Sequence, residues 1–265
     1  MQRLLVLTAV FILFAGSAFS QEEGKNLAKE LANPIATMIT VPIQVNYDKK
    51  IGSDGNGSAV QTNIQPLLPF SLNDDWHLIS RSIIPIIHQN DIPTEGMEDT
   101  GLGDILQSFF FSPEKSTENG WIWGAGPAML LPTASDDSLG TEKFAVGPTA
   151  VALKQEGPWT VGALTNHLWS VAGDDDRSDV NATYLEPWVS YVTSTDTTIS
   201  FSAETTYDWE AEEWSVPLNF IVDQLFQIGN QYVSIGGTVK YWAQSPNGGP
   251  EDIGFRLQMT LLFPK

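Results

Sequence analysis

Cysteine is absent from the 265 residues, so no disulfide can staple this chain. Small secreted domains often depend on such bridges; a chain without them must rely on packing and hydrogen bonds, as a closed β-ladder does. Basic charge is scarce. Thirteen Lys and Arg stand against 32 Asp and Glu, for a net charge of −19. A surface this acidic cannot neutralise phosphates, which argues against nucleic acid as a partner. Long hydrophobic runs are missing too. Leu4 to Phe14 offers about eleven apolar residues where a spanning helix needs ~20, and no later segment reaches that length. The sequence also lacks a Gly-rich phosphate loop, a zinc-ligand cluster and a dinucleotide fingerprint, and no cofactor is expected.

What is present begins with an address. Met1 to Arg3 is a basic n-region, Leu4 to Phe14 an apolar run, and Ala18-Phe19-Ser20 places small residues before a cleavage point at Gln21. Residues 1–20 therefore read as a secretory signal peptide, and any membrane residence of the remainder must come from strands. Residues 21–33 read as a short periplasmic segment. Leu27, Ala28 and Leu31 have helical spacing that Asn33-Pro34 stops. A plug or latch is one reading of this helix; a frayed N-terminal helix is the expectation.

From Pro34 onward the chain is rhythmic. No Pro/Ser-rich linker divides it, and residues 34–265 read as one domain of twelve amphipathic segments. The spans are Pro34 to Tyr47, Ser58 to Phe70, Trp76 to Ile87, Gly101 to Ser112, Gly120 to Leu131, Lys143 to Lys154, Trp159 to Val171, Val180 to Val192, Thr197 to Tyr207, Trp214 to Leu225, Gln231 to Trp242 and Asp252 to Phe263. Each is slightly longer than the ~9–11 residues with which a tilted strand crosses hydrocarbon. Alternation is clearest in the last: Ile253, Phe255, Leu257, Met259, Leu261 and Phe263 fall on one face, Gly254, Arg256, Gln258 and Thr260 on the other. The fold class expected is all-β, a transmembrane antiparallel up-and-down β-barrel of about twelve strands with a short N-terminal periplasmic helix. A soluble β-sandwich would alternate as well, but with shorter strands.

Loop lengths and aromatics point the same way. Short turns near Asn73, Lys115 to Asn119, Gly157, Thr195 and Gly229 alternate with longer loops, so the short turns are assigned to the periplasm. Phe70, Trp76, Phe111, Trp121, Trp159 and Tyr232 would form an inner girdle, and Tyr47, Trp169, Tyr207, Trp214 and Tyr241 an outer one.

These residues carry a resemblance. Asn33-Pro34-Ile35-Ala36 leading into Val41-Pro42-Ile43-Gln44, Ser80-Arg81-Ser82-Ile83-Ile84-Pro85, Gly101-Leu102-Gly103-Asp104, Trp123-Gly124-Ala125-Gly126-Pro127, Leu131-Pro132-Thr133-Ala134 and Leu139-Gly140-Thr141 span most of the mature chain. Together they resemble a family of bacterial outer-membrane β-barrels labelled "transporter" or "MetA-pathway of phenol degradation", and sometimes mislabelled neuromedin U. The resemblance implies a Gram-negative outer-membrane location and passage of apolar or aromatic compounds. It departs at the end, where such barrels commonly finish on an aromatic: here Phe263 precedes Pro264-Lys265. Phe263 is expected to serve the assembly machinery with a two-residue overhang.

Two sets of side chains are candidates for function. By alternation Arg81, Lys240 and Arg256 share the interior with Glu186, Glu204 and Asp223, where they would set selectivity or satisfy one another as a polar core. The outer loops hold Asp174, Asp175, Asp176, Glu210, Glu212 and Glu213, hard oxygen donors suited to divalent cations or to bridging lipopolysaccharide phosphates, or simply solvated. Metal binding itself is left unknown. With only His77, His88 and His167 to act as bases, and Ser80 and Ser170 three residues from their nearest histidines and so on opposite strand faces, no enzyme is expected. The expected function is a passive, porin-like channel for a small-molecule solute, with outer-membrane lipid, lipopolysaccharide and the assembly machinery as partners. The alternative is a closed structural or adhesive barrel acting through its acidic loops.

Overall fold

The computed structural model describes residues 21–264, so the signal-peptide assignment lies outside the described residues. After helix α1 (Gln21–Leu31) come β1 (Ile39–Ile51), β2 (Gly57–Ile64), β3 (Leu67–Ser71), β4 (Trp76–Asn90), β5 (Glu98–Leu102), β6 (Ile105–Pro113) and β7 (Trp121–Leu131). The chain continues through β8 (Lys143–Glu156), β9 (Trp159–Gly173), β10 (Asn181–Val192), β11 (Thr197–Ala203), β12 (Thr205–Asp208), β13 (Glu213–Ile228), β14 (Gln231–Gln244) and β15 (Asp252–Phe263). Every pairing is antiparallel, consecutive strands pair except where β2–β3, β5–β6 and β11–β12 follow one another along one edge, and β1 closes the ring on β15 from Ile39 opposite Phe263 to Tyr47 opposite Phe255. Closure leaves no edge strand with unpaired N–H and C=O groups, which hydrocarbon would not tolerate.

The fifteen strands make twelve staves, because three staves are interrupted. Between β2 and β3 the break is at Gln65-Pro66, where proline has no N–H for the ladder. Between β5 and β6 it is at Gly103-Asp104, and between β11 and β12 at Glu204. The first stave also begins later than its pattern implied. Pro34 to Met38 are not strand but enter the barrel, because Asn33 folds the chain back: its side-chain oxygen accepts from Ile35 N–H at 3.0 Å and its carbonyl from Ala36 N–H at 3.1 Å.

Burial is inverted relative to a water-soluble protein. Leu257 is 71% exposed while Arg256 beside it is 6% exposed, and Phe201, Phe220, Ile235 and Phe255 also point outward. A β-sandwich would bury these rings and expose the guanidinium; only lipid outside and a polar interior make the pattern favourable. Replacing Leu257 by Arg puts a cation into hydrocarbon, and the expected cost is about 2–4 kcal/mol if the site lies at midplane depth. Urea unfolding of the vesicle-inserted barrel measures it, and a loss under about 0.5 kcal/mol would show that Leu257 does not lie at midplane depth in lipid.

Most of the girdle rings do lie on the outer face, including Phe70, Trp76, Trp121, Trp159, Tyr47, Trp169, Trp214 and Tyr241. Tyr232 does not. It packs inward with Leu27, Leu225 and Leu262, and its hydroxyl donates to Glu23 Oε1 at 2.6 Å. The reason is register: Tyr232 pairs with Leu262, which is on the interior face of β15.

Candidate functional site

The interior has two unlike walls and a plug. One wall is apolar, built by Ile79, Phe110, Val151, Leu153 and Leu164 from β4, β6, β8 and β9. Ile35 packs against it from the N-terminal segment. At the end that carries the short turns, α1 sits across the barrel mouth. Its Leu27 and Ala28 are buried with Val192, Leu225 and Leu262, and Gln155 Nε2 donates to the Lys29 carbonyl at 2.8 Å. The helix is therefore packed, which corrects the expectation of a frayed segment. Lys29 in its last turn also suits the negative end of the helix dipole.

The opposite wall is polar. Arg256 Nη1 and Nη2 donate to the two carboxylate oxygens of Glu204, both at 2.8 Å, and Arg256 Nε donates to Asn46 Oδ1 at 2.7 Å. This fork-on-fork geometry is the strongest form of the pair. Gln258 Nε2 donates to Asp223 Oδ1 at 2.6 Å. Lys240 Nζ donates to Asp48 Oδ2 at 2.9 Å, and Trp242 Nε1 to Asp48 Oδ1 at 2.8 Å. Gly254 makes this possible, since a Cβ there would stand 2.2 Å from Asp48 Oδ1. Arg81 Nη2 donates to Gln65 Oε1 at 2.9 Å, and Gln65 passes a bond to Gln44 at 2.8 Å. Tyr184 hydroxyl donates to Glu186 Oε2 at 2.9 Å. Between the plug and these groups is a cavity of about 290 Å³ bordered by Arg81, Glu186, Glu204, Asp223 and Arg256.

Five of the six interior candidates thus border one cavity, and the sixth, Lys240, is buried against Asp48. The first span read from the sequence ends at Tyr47 and so leaves Asp48 to the loop that follows, but Asp48 lies within β1. The signal was available, because Gln44, Asn46 and Asp48 continue the inward polar period past Tyr47. Gln65 was missed because it sits in a stave break; Tyr184 shares the parity of Glu186, so alternation along β10 could have placed it inward.

The acidic loops are less concentrated than their spelling implies. Asp174 Oδ1 accepts from Asp176 N–H at 2.8 Å, Glu210 Oε1 from Asn181 Nδ2 at 3.0 Å, and Glu213 Oε2 from Asn247 N–H at 3.1 Å. Asp175 and Glu212 are exposed, and no group of three or more metal-ligating side chains occurs among the described residues. Arg177 crosses between loops, pairing with Glu142 at 3.2 Å. Burial of the Glu142 carboxyl, with Asp137 nearby, raises it above the ordinary carboxylate value despite Arg177. Three of the motifs that carried the resemblance, around Asp104, Ala134 and Thr141, meet at this end. Asp104 accepts from Ala134 N–H at 3.1 Å, Thr141 N–H at 2.6 Å and Thr141 hydroxyl at 2.7 Å, tying the β7–β8 loop onto the β5–β6 break.

No protein-family model matches the chain, and the search of curated proteins finds no significant match. Solved structures do match. The COG4313 outer membrane channel from Pseudomonas putida F1 aligns over 86% of this chain and 96% of its own, with TM-score 0.67 and 13% identity. The NanC porin aligns over 86% and 100%, with TM-score 0.51 and 13% identity. The chain has the fold of the outer-membrane barrels. Outer membrane phospholipase A from Escherichia coli also matches, over 94% and 99% with TM-score 0.49 and 12% identity. That match corrects the expectation that the chain is no enzyme: enzymes occur among the barrels similar to this one. The tertiary structure also assembles groups that sequence spacing kept apart. Ser71 hydroxyl lies 3.3 Å from His77 Nδ1, and His77 Nε2 meets Glu114. A cross-strand pair of β3 and β4, with β6 alongside, joins these three where spacing along the chain points only to Ser80 and Ser170.

Proposed function

We propose that this protein is delivered to the Gram-negative outer membrane by residues 1–20 and acts there as a passive, porin-like channel for small solutes, with its N-terminal segment as a built-in plug. The observation that carries this reading is the cavity of about 290 Å³ beside a wall of ionised and amide side chains. A barrel serving only as a scaffold would fill its interior with side chains instead. The finer label of the phenol-degradation family, with apolar or aromatic solutes, would use the wall of Ile79, Phe110 and Leu153; Ile35 occupies that wall, and the open space borders the polar one. Polar solutes therefore fit the open path better. Outer-membrane lipid and lipopolysaccharide would contact the apolar belt and the loop ends, and the assembly machinery would read the Phe263 end.

Around the cavity three carboxylates, Glu186, Glu204 and Asp223, face two guanidinium groups, Arg81 and Arg256, and the outer loops add further acids. Cations should pass more readily than anions. Discrete single-channel steps in a planar bilayer, with a cation-selective reversal potential under a salt gradient, are the expected result. A folded, inserted barrel without steps would sink the channel reading and leave the closed barrel with acidic loops, which the plug across the mouth favours.

A further inference from the structure

Three charges bordering the cavity lack an ionic partner among the described residues: Arg81, Glu186 and Asp223, the last of which accepts a hydrogen bond from Gln258. Arg256 has Glu204, and Lys240 has Asp48. Arg81 has no carboxylate, and Glu186 no cation, within 4.0 Å among the described residues. Of the five guanidinium N–H groups of Arg81, one donates to a side chain, that of Gln65; Glu186 receives one donor, the Tyr184 hydroxyl, on one of its two oxygens. Both residues border the same cavity.

The surroundings of the two differ in chemistry. Arg81 sits among amides, with Gln65 and Gln44 linked to it in a chain. Glu186 is flanked along β10 by Tyr184 and Trp188, two residues either side and so on the same strand face. The Trp188 indole lies over the bare backbone of Gly162, where a Cβ would meet Trp188 Cζ2 at 2.5 Å. A carboxylate between two aromatic rings suits an ammonium group, above all an alkylated one, which ring faces attract and water solvates weakly. A guanidinium with free N–H groups beside amides suits a carboxylate.

We infer that this cavity binds a small zwitterion, its carboxylate held by Arg81 with Gln65 and its alkylated ammonium held by Glu186 between Tyr184 and Trp188. Such a solute supplies a partner to Arg81 and to Glu186 at once and leaves only Asp223, which Gln258 already satisfies with a hydrogen bond, whereas an ion of either sign matches one of the two and a neutral solute neither. The inference deepens the channel reading and rests on it for its biological use, but binding is measured separately from flux.

The test is isothermal titration calorimetry of glycine betaine into the purified, folded protein. Three controls accompany it: 3,3-dimethylbutanoate, which replaces the ammonium nitrogen by carbon; choline, which lacks the carboxylate; and glucose. Betaine is expected to bind about tenfold or more tighter than each control, and Arg81→Gln and Glu186→Gln are each expected to weaken betaine about tenfold or more. Each variant should also erase the advantage of the zwitterion over the control that lacks the same charge: choline for Arg81→Gln, 3,3-dimethylbutanoate for Glu186→Gln. That selectivity pattern would not follow from a merely loosened fold. Equal binding of betaine and 3,3-dimethylbutanoate, no betaine binding by a protein that conducts, or folded variants that bind unchanged would each overturn the site. Betaine binding by a barrel that never conducts would keep the site and overturn the channel.

Discussion

Removing residues 21–36 is expected to raise single-channel conductance several-fold, the largest functional change that any alteration of this chain should produce. An α-helix with its side chains is about 10–12 Å across, enough to cover much of the mouth of a barrel this small. Here α1 lies over the short-turn end with Leu27 and Ala28 buried against Val192, Leu225 and Leu262, and Ile35 reaches the apolar wall beyond it. Deletion uncovers that end and frees the space beside Ile79 and Phe110. A deleted barrel that still folds, with the heat-modifiable gel mobility of the intact protein and the same conductance, would show that solutes bypass the helix. A milder change, Ile35→Ala, should enlarge the lumen without opening the mouth and so raise conductance much less.

Arg256→Gln should cause the largest loss of stability. Arg256 is buried and meets Glu204 through two 2.8 Å bonds, with a third to Asn46 at 2.7 Å. Taking away one partner of a buried pair leaves the other charged, desolvated and unmatched, which typically costs about 3–5 kcal/mol. Water in the neighbouring cavity should keep the value near the lower end. The double change Arg256→Met with Glu204→Leu should recover most of the loss, because no charge is then stranded. Urea titration of vesicle-inserted protein measures both. A single variant as stable as the parent would mean that Glu204 is solvated through the lumen and the pair contributes little.

How much of the structure is legible in the chain differs from residue to residue. Leu257 outward and Arg256 inward follow from a period of two, because successive strand side chains must take opposite faces. The stave count follows from the same rhythm, since turn residues separate each amphipathic stretch. The interruptions do not: a single Pro66 or a Gly103-Asp104 step breaks pairing without disturbing the hydrophobic alternation. Asp48 is misplaced by sequence reasoning because strand length beyond the membrane has no hydropathy signature. Tyr232 is misplaced because an aromatic at a strand end serves a lipid girdle or an internal helix equally well, and only register with Leu262 decides between them.

The sequence alone determined the solvent and the architecture: strands rather than helices, apolar side chains on one face and polar groups on the other. Those properties depend on local period and composition, which each segment carries within itself. The tertiary structure decided which charges meet. Arg256 finds Glu204 across 52 residues and Lys240 finds Asp48 across 192, while Arg81 and Glu186 are left without ionic partners in a shared cavity. It also decided that the N-terminal helix packs into one mouth and that Ser71, His77 and Glu114 adjoin. Alternation says only that a side chain points inward; which inward groups touch depends on strand stagger and barrel closure, and these arise only when the last strand pairs with the first.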